Sequence, residues 1–213
     1  MEFKDTREIV NYLVDKFNYK TYLELGTAQC ETINEVNIPF KRGVDINKDV
    51  YGCDNPSHMT TDEYFETDVF ADIENNGKFD IVFIDGLHHS DQVDKDFENS
   101  LKYLSDDGII LMDDVTPPEE EWQIIPRNRW GGWTGDCWKS FLKLRCSRED
   151  LFMCTVMFEN SWAGNGIIWK GTQELYNDTL KDEFLEYSHF DENRKEILNL
   201  ITKEEFIELI DKK

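Results

Sequence analysis

Apolar positions follow two different periods along this chain. Ile9, Val10, Leu13 and Phe17 recur at helical spacing over residues 5–17, behind Asp5 and Glu8 at the separation of a capping box. A short apolar run at 22–25 predicts a strand. A helix over 29–37, stopped by Pro39, and a strand over 42–46 follow. Residues 47–61 read as a loop holding a short third strand near Met59, and a helix over 62–75 ends at Gly77. Residues 79–85 and 108–113 are apolar almost throughout, as strands buried on both faces are. Between them, Val93, Phe97, Leu101 and Leu104 mark one face of a helix over 90–104. Residues 136–147 predict a helix with Trp138 facing the core, 151–158 and 166–170 two late strands, and the chain from about 174 charged helices. This alternation predicts an α/β fold with a doubly wound, mostly parallel sheet, one domain over residues 1–213 and extra terminal helices. Residues 116–134 break the pattern with Pro117, Pro118, Pro126, Gly131, Gly132, Trp122, Trp130 and Trp133. So long a connection after a strand's carboxyl end is unusual for a mere linker.

The first strand carries Glu24 and runs into a small-residue turn at Gly26 and Thr27, and the second ends in Asp45. A glycine lets a ligand approach the backbone closely, and an acid about twenty residues on can grip a ribose diol. That spacing points to a nucleoside-containing cofactor. The plainer reading is a strand-to-helix turn and a surface acid. Gly-x-Gly-x-x-Gly is absent, since Ala28 and Glu31 stand where its later glycines belong, so a nicotinamide cofactor fits poorly. Asp85 ends a fully apolar strand, a position that favours function at a sheet's carboxyl edge.

Composition narrows the partners. The 213 residues hold 23 Lys and Arg against 45 Asp and Glu, a net charge of −22. Nucleic acid and anionic membrane surfaces would be repelled, and a cationic ligand favoured. The five cysteines, Cys30, Cys53, Cys137, Cys146 and Cys154, include no Cys-x-x-Cys pair, which argues against a structural zinc and against a disulfide framework. No signal peptide and no membrane insertion are expected, and the expected location is the cytoplasm.

Several motifs together resemble the class I S-adenosylmethionine-dependent methyltransferases, in the branch of sugar and glycan O-methyltransferases of the macrocin and rhamnosyl type. They are Leu-Glu-Leu-Gly at 23–26, Gly-Val-Asp at 43–45, Thr-Asp-Glu-Tyr-Phe at 61–65, the run from Phe79 through Asp85-Gly-Leu-His88 to His89, residues 108–114, and Gly135-Asp-Cys-Trp-Lys-Ser-Phe onward to Arg145. The resemblance implies a Rossmann-like sheet of seven strands, the last antiparallel, with S-adenosyl-L-methionine across the carboxyl ends of the first strands. It implies cofactor contacts from Glu24 to the amino group, Gly26 and Thr27 along the methionine part, Asp45 to the ribose hydroxyls, Asp62 near the adenine, and Asp85. The chain departs from the family at Cys30, where a second glycine is usual, and at Asp113, where many relatives carry His.

A hydroxyl attacking a sulfonium methyl needs alignment, and a base or a metal to manage its proton. Asp85, His88 and Asp114 are the candidate catalytic residues, with His88 or Asp85 as base. Asp85, Asp113 and Asp114 offer oxygens that suit Mg²⁺ or Mn²⁺, as in related sugar methyltransferases. Solvated turn acids are the alternative. Arg127, Arg129, Trp130 and Trp133 are candidate acceptor contacts from a lid, and packing of these rings is the alternative. The expected activity is O-methylation of a sugar or glycan hydroxyl. The rivals are methylation of a small non-sugar alcohol, phenol or amine, and cofactor binding without catalysis. The charged C-terminal helices are candidates for packing on the core or on a second subunit.

Overall fold

The computed structural model describes residues 3–48, 52–159 and 161–213. They fall into two compact units. The first comprises the described residues of 6–87 and 92–111, and the second those before 6, 88–91 and 112 onward.

In the first unit, helix α1 (Thr6–Phe17) buries Ile9, Val10 and Leu13, as its apolar period predicts, together with Val14, while Phe17 is only half-buried. Strand β1 (Thr21–Leu25) is buried at every position. After it come α2 (Glu31–Glu35), β2 (Phe40–Val44), β3 (Pro56–Ser57), α3 (Thr61–Glu66), α4 (Val69–Asn76), β4 (Phe79–Ile84), α5 (Ser90–Tyr103) and β5 (Leu104–Met112). The strands run in the order β3-β2-β1-β4-β5. The parallel register sets Leu25 opposite both Val44 and Ile84, and Val44 opposite Ser57. β1, β2 and β4 therefore end level, and Gly26, Asp45 and Asp85 are the first residues past three strand ends.

The single helix expected over 62–75 is two. Thr67 leaves helical geometry at φ −130° and ψ −79°, and its hydroxyl donates to the Glu63 carbonyl. A β-branched residue bonding its own backbone competes with the helix there. α3 starts on a capping box in which the Thr60 hydroxyl accepts from the Glu63 N–H and the Glu63 carboxylate accepts from the Thr60 N–H. Arg42 on β2 forks onto the buried Asp72 of α4, Nε to Oδ2 at 2.7 Å and Nη2 to Oδ1 at 2.6 Å, and the Tyr64 hydroxyl donates to the same carboxylate at 2.9 Å. This triad ties the strand that ends in Asp45 to the helices beside it.

One expectation fails outright. Cys30 and Cys53 form a disulfide across 23 residues, in a sequence whose cysteine spacing argues against one. The two cysteines meet because α2 folds back beside the loop after β2, a contact that no motif announces.

The second unit holds α6 (Cys137–Ser147), β6 (Leu151–Met157), β7 (Gly164–Lys170), α7 (Tyr187–Ile197), β8 (Leu200–Ile201) and α8 (Lys203–Ile210). β7 pairs antiparallel with β6, and β8 parallel with β6 at Thr155 and Val156. The described residues thus form eight strands, one more than expected. The addition, β8, has two residues, too few to show a period. Trp138 is fully buried and packs its ring against Phe190 at 4.5 Å, as its helical spacing predicts. Phe206 of α8 meets Phe3 edge to face at 5.9 Å, so this charged terminal helix buries its apolar face within its own unit.

Candidate active site

In the first unit, the turn after β1 presses on the chain after β4. Gly26 has φ +87°, and a Cβ there would fall on the Asp85 carbonyl and lie 2.7 Å from the Gly86 Cα. The protein's own backbone therefore requires this glycine. The Gly26 N–H donates to the Val44 carbonyl, and the Asp85 N–H to the Leu25 carbonyl, both at 2.8 Å. Thr27 is buried, with its methyl over Gly43. Asp45 is gripped by backbone: Oδ2 accepts from the Ala28 N–H and Oδ1 from the Asn47 N–H, each at 2.8 Å. Each oxygen keeps a second lone pair for a hydroxyl.

Glu24 lies inside the sheet, 2% exposed, and its Oε2 accepts the Tyr22 hydroxyl proton at 2.6 Å. Burial pushes its carboxyl up to about 8, and the nearby Asp85 charge adds to the shift against the Tyr22 hydrogen bond. A buried acid held partly neutral beside a second acid is a place where a cationic group gains by entering. Past Asp45, a cavity of about 440 Å³ is lined by Ile46, Lys48, His58, Met59, Thr60, Glu63 and Thr67.

Asp62 turns towards α5. Its Oδ1 accepts from Gln92 Nε2 at 3.0 Å, and Lys95 sits 3.6 Å from its other oxygen. Gln92 also donates to Oδ1 of Asp96, whose carboxyl burial raises to about 6. Gln92 and Asp96 escaped the sequence reading. A polar pair on a helix's inner face was the only available signal.

In the second unit, His88 is held from four directions. Its Nδ1 lies 2.8 Å from Oδ2 of Asp114. Its ring stacks on Trp133 at 5.4 Å and 10°. Its carbonyl accepts from the Asp136 N–H at 3.2 Å, and a Cβ on Gly135 would collide with that carbonyl. Asp136 also takes the Ser90 N–H at 2.7 Å. Both His88 (φ +59°) and Asp114 (φ +57°) adopt left-handed backbone. Such strain persists only where the surroundings over-determine it, and it clusters at functional sites. Gly135 and Asp136 were legible as a motif, and their role under His88 was not. Asp113 turns to β7, where Asn165 Nδ2 donates to its Oδ1 at 3.0 Å.

The loop of residues 116–134 packs on itself through Trp122. That ring meets Trp162 at 4.5 Å, carries the Arg129 guanidinium at 4.2 Å, and fills the space a Gly132 side chain would need. Arg127 donates to the Gly131 and Arg129 carbonyls and covers Trp133, whose indole N–H donates to the Ile124 carbonyl at 2.9 Å. Trp130 alone of this group is bare, at 98% exposure.

Residues 41–115 match a family described as a methyltransferase domain. That stretch contains Asp45, Asp85, His88 and Asp114. Solved structures extend the likeness to most of the chain. An O-methyltransferase from Bacillus cereus in complex with SAH is 13% identical, with 77% of this chain and 80% of that one covered at a TM-score of 0.51. A putative caffeoyl-CoA O-methyltransferase from Staphylococcus aureus is 16% identical over 78% and 83%, at 0.55. The O-methyltransferase TomG from Streptomyces achromogenes, involved in tomaymycin synthesis and solved with SAM, is 12% identical over 77% and 78%, at 0.53. The fold is that of a class I methyltransferase. No curated protein sequence matches the chain. Within that methyltransferase fold, Gly26, Asp45 and Asp85 stand at the carboxyl ends of adjacent parallel strands, where such sheets bind their ligands.

Proposed function

We propose that this chain is an S-adenosylmethionine-dependent O-methyltransferase acting on a sugar or glycan hydroxyl, with its two units serving one catalytic domain. The observation that carries the reaction is the His88–Asp114 pair, 2.8 Å apart and stacked against Trp133. Asp114 lies beside Nδ1 as a charge partner that would favour a protonated ring, and Nε2 is the ring nitrogen proposed to take the hydroxyl proton. A bound S-adenosylmethionine would supply an electrophilic methyl to the acceptor oxygen and depart as S-adenosylhomocysteine, and His88 Nε2 would take the hydroxyl proton. Glu24 and Asp85 receive the cofactor's ammonium, Gly26 and Thr27 its methionine part, and Asp45 its ribose diol. The adenine end takes the cavity beside Ile46, within reach of the Asp62 helix.

The sugar reading draws on the loop: an exposed indole such as Trp130 is a stacking platform for a pyranose, while Arg127, Arg129 and Trp133 are engaged in the loop's own packing. The acids past β4 and β5 favour a second reading, a Mg²⁺ or Mn²⁺ ion, with Asp113 the poorest of the expected ligands because its Oδ1 takes the Asn165 amide. Such an ion would stabilise the developing alkoxide. The proposed location is the cytoplasm. Among the described residues no helix is long and apolar enough to cross a membrane.

Methyl transfer from labelled cofactor to sugars, glycans, catechols and amines tests this reading. Transfer to a sugar hydroxyl is expected, with His88→Ala lowering kcat by about 10²-fold or more while the S-adenosylhomocysteine Kd holds. Full activity in that variant removes His88 as base. Loss of activity in EDTA, restored by Mg²⁺, decides for the metal reading. Transfer to catechols or amines alone rejects the sugar.

A further inference from the structure

The turn that grips Asp45 is built from residues ill suited to its shape. Ala28 (φ +42°) and Cys30 (φ +62°) both lie in left-handed backbone that side chains rarely adopt. Ala28 nevertheless donates its N–H to Asp45, and Cys30 its N–H to the Thr27 carbonyl at 2.6 Å. Glycine would take either position without strain. A cysteine gains its place here by the bond it makes. Its disulfide to Cys53 closes a ring of chain that contains β2 and Asp45. The residues flanking Cys53 are pinned to α2 as well. Asn34 of α2 donates to the Gly52 carbonyl at 2.9 Å and accepts from the Asp54 N–H at 3.1 Å, and Asp54 pairs with Lys41 at 2.8 Å.

We propose that the Cys30–Cys53 disulfide is the positioning element of the cofactor turn, holding Ala28 against Asp45, and that thiol–disulfide exchange at this bond sets cofactor affinity. The inference rests on the cofactor reading given above. In the exchange, a thiolate of a small thiol such as glutathione attacks one sulfur and forms a mixed disulfide. A second thiol completes the reduction. Two electrons and two protons pass to Cys30 and Cys53, and the small thiols leave as their own disulfide. The exchange enters at Cys53, which is partly exposed, because Cys30 is buried, as are Cys137, Cys146 and Cys154, and burial raises the thiols of Cys146 and Cys154. In a reducing cytoplasm such a bond belongs to the redox-responsive kind.

The test uses the full chain and S-adenosylhomocysteine. Alkylation of denatured protein followed by mass measurement is expected to label three cysteines before dithiothreitol and five after it. Calorimetry on the same samples should show the Kd weakening about tenfold on reduction, the cost of a turn no longer preorganised. Cys53→Ser should match the reduced protein with or without dithiothreitol. Cys30→Gly, which suits the left-handed position unaided, should regain affinity and ignore dithiothreitol. Five labelled cysteines in the untreated protein, or equal affinity in both redox states, overturns the proposal. Absence of binding in the oxidised, three-thiol protein instead overturns the cofactor reading on which it stands.

Discussion

At the scale of single residues, Glu24 makes the sharpest statement. Its carboxyl is held near 8 by burial, above the 4.5 of an ordinary glutamate. The folded state therefore binds a proton that the unfolded state releases earlier. The stability tied to that proton is fully present below about pH 4.5 and is lost as pH climbs through about 8. The melting temperature of ligand-free protein should fall over that window more steeply than that of Glu24→Gln, as differential scanning calorimetry would show. A cofactor ammonium reverses the preference by favouring the carboxylate. Binding of S-adenosylhomocysteine near pH 6.5 should then expel close to one proton, measurable as a buffer-dependent binding enthalpy. In Glu24→Gln that dependence should vanish, and if it does not, the ammonium lies elsewhere. Gly26→Ala is the complementary change. Left-handed backbone costs about 1–2 kcal/mol for a side chain, and the new methyl would also strike the Asp85 backbone. Its denaturation midpoint should drop sharply even without cofactor, because the glycine serves the fold before it serves a ligand.

Among elements, the strands that build the site were the most legible part of the chain. The apolar runs at 22–25, 79–85 and 108–113 became β1, β4 and β5. Continuous burial leaves so plain a mark that Asp85 could be placed at a strand end without coordinates, whereas β2, buried only at Gly43 and Val44, ends at Val44 and not at 46 as its sequence suggests. The amphipathic α5 was equally plain. What escaped was everything fixed by contacts between elements. The Arg42–Asp72–Tyr64 triad has no spacing to betray it, since its members come from β2, α4 and α3. The disulfide needs the loop after β2 to fold against α2. The hold of Asp136 on His88 and Ser90 joins residues more than forty positions apart. The triad also carries a prediction. Removing one partner of a buried pair costs about 3–5 kcal/mol because the other charge is stranded. Asp72→Ala should lose stability of about that size in urea titration, and its cofactor affinity should fall too, since β2 delivers Asp45. Asp54→Ala, which breaks the half-exposed pair with Lys41, should cost at most about 1 kcal/mol.

For the whole molecule, the charge of −22 shapes what a methyl donor meets. Donor and product differ at the sulfur: a sulfonium carries one positive charge and the thioether left after transfer carries none. An acidic field favours the donor, and its reach in solution is set by salt, with a Debye length of about 30 Å at 0.01 M and about 10 Å at 0.1 M. At low ionic strength many surface carboxylates act on the sulfur together, and at high salt only the nearest groups do, Glu24 and Asp85 among them. The ratio of donor to product affinity should therefore shrink by about threefold between 0.02 and 0.5 M salt, with product affinity itself moving little. Competition calorimetry at the two ionic strengths gives both numbers. A ratio that stays constant would assign the discrimination to the buried acids alone. A ratio that shrinks as expected would give the surplus charge a role in turnover, because the field that draws the donor in loses its hold when the methyl leaves.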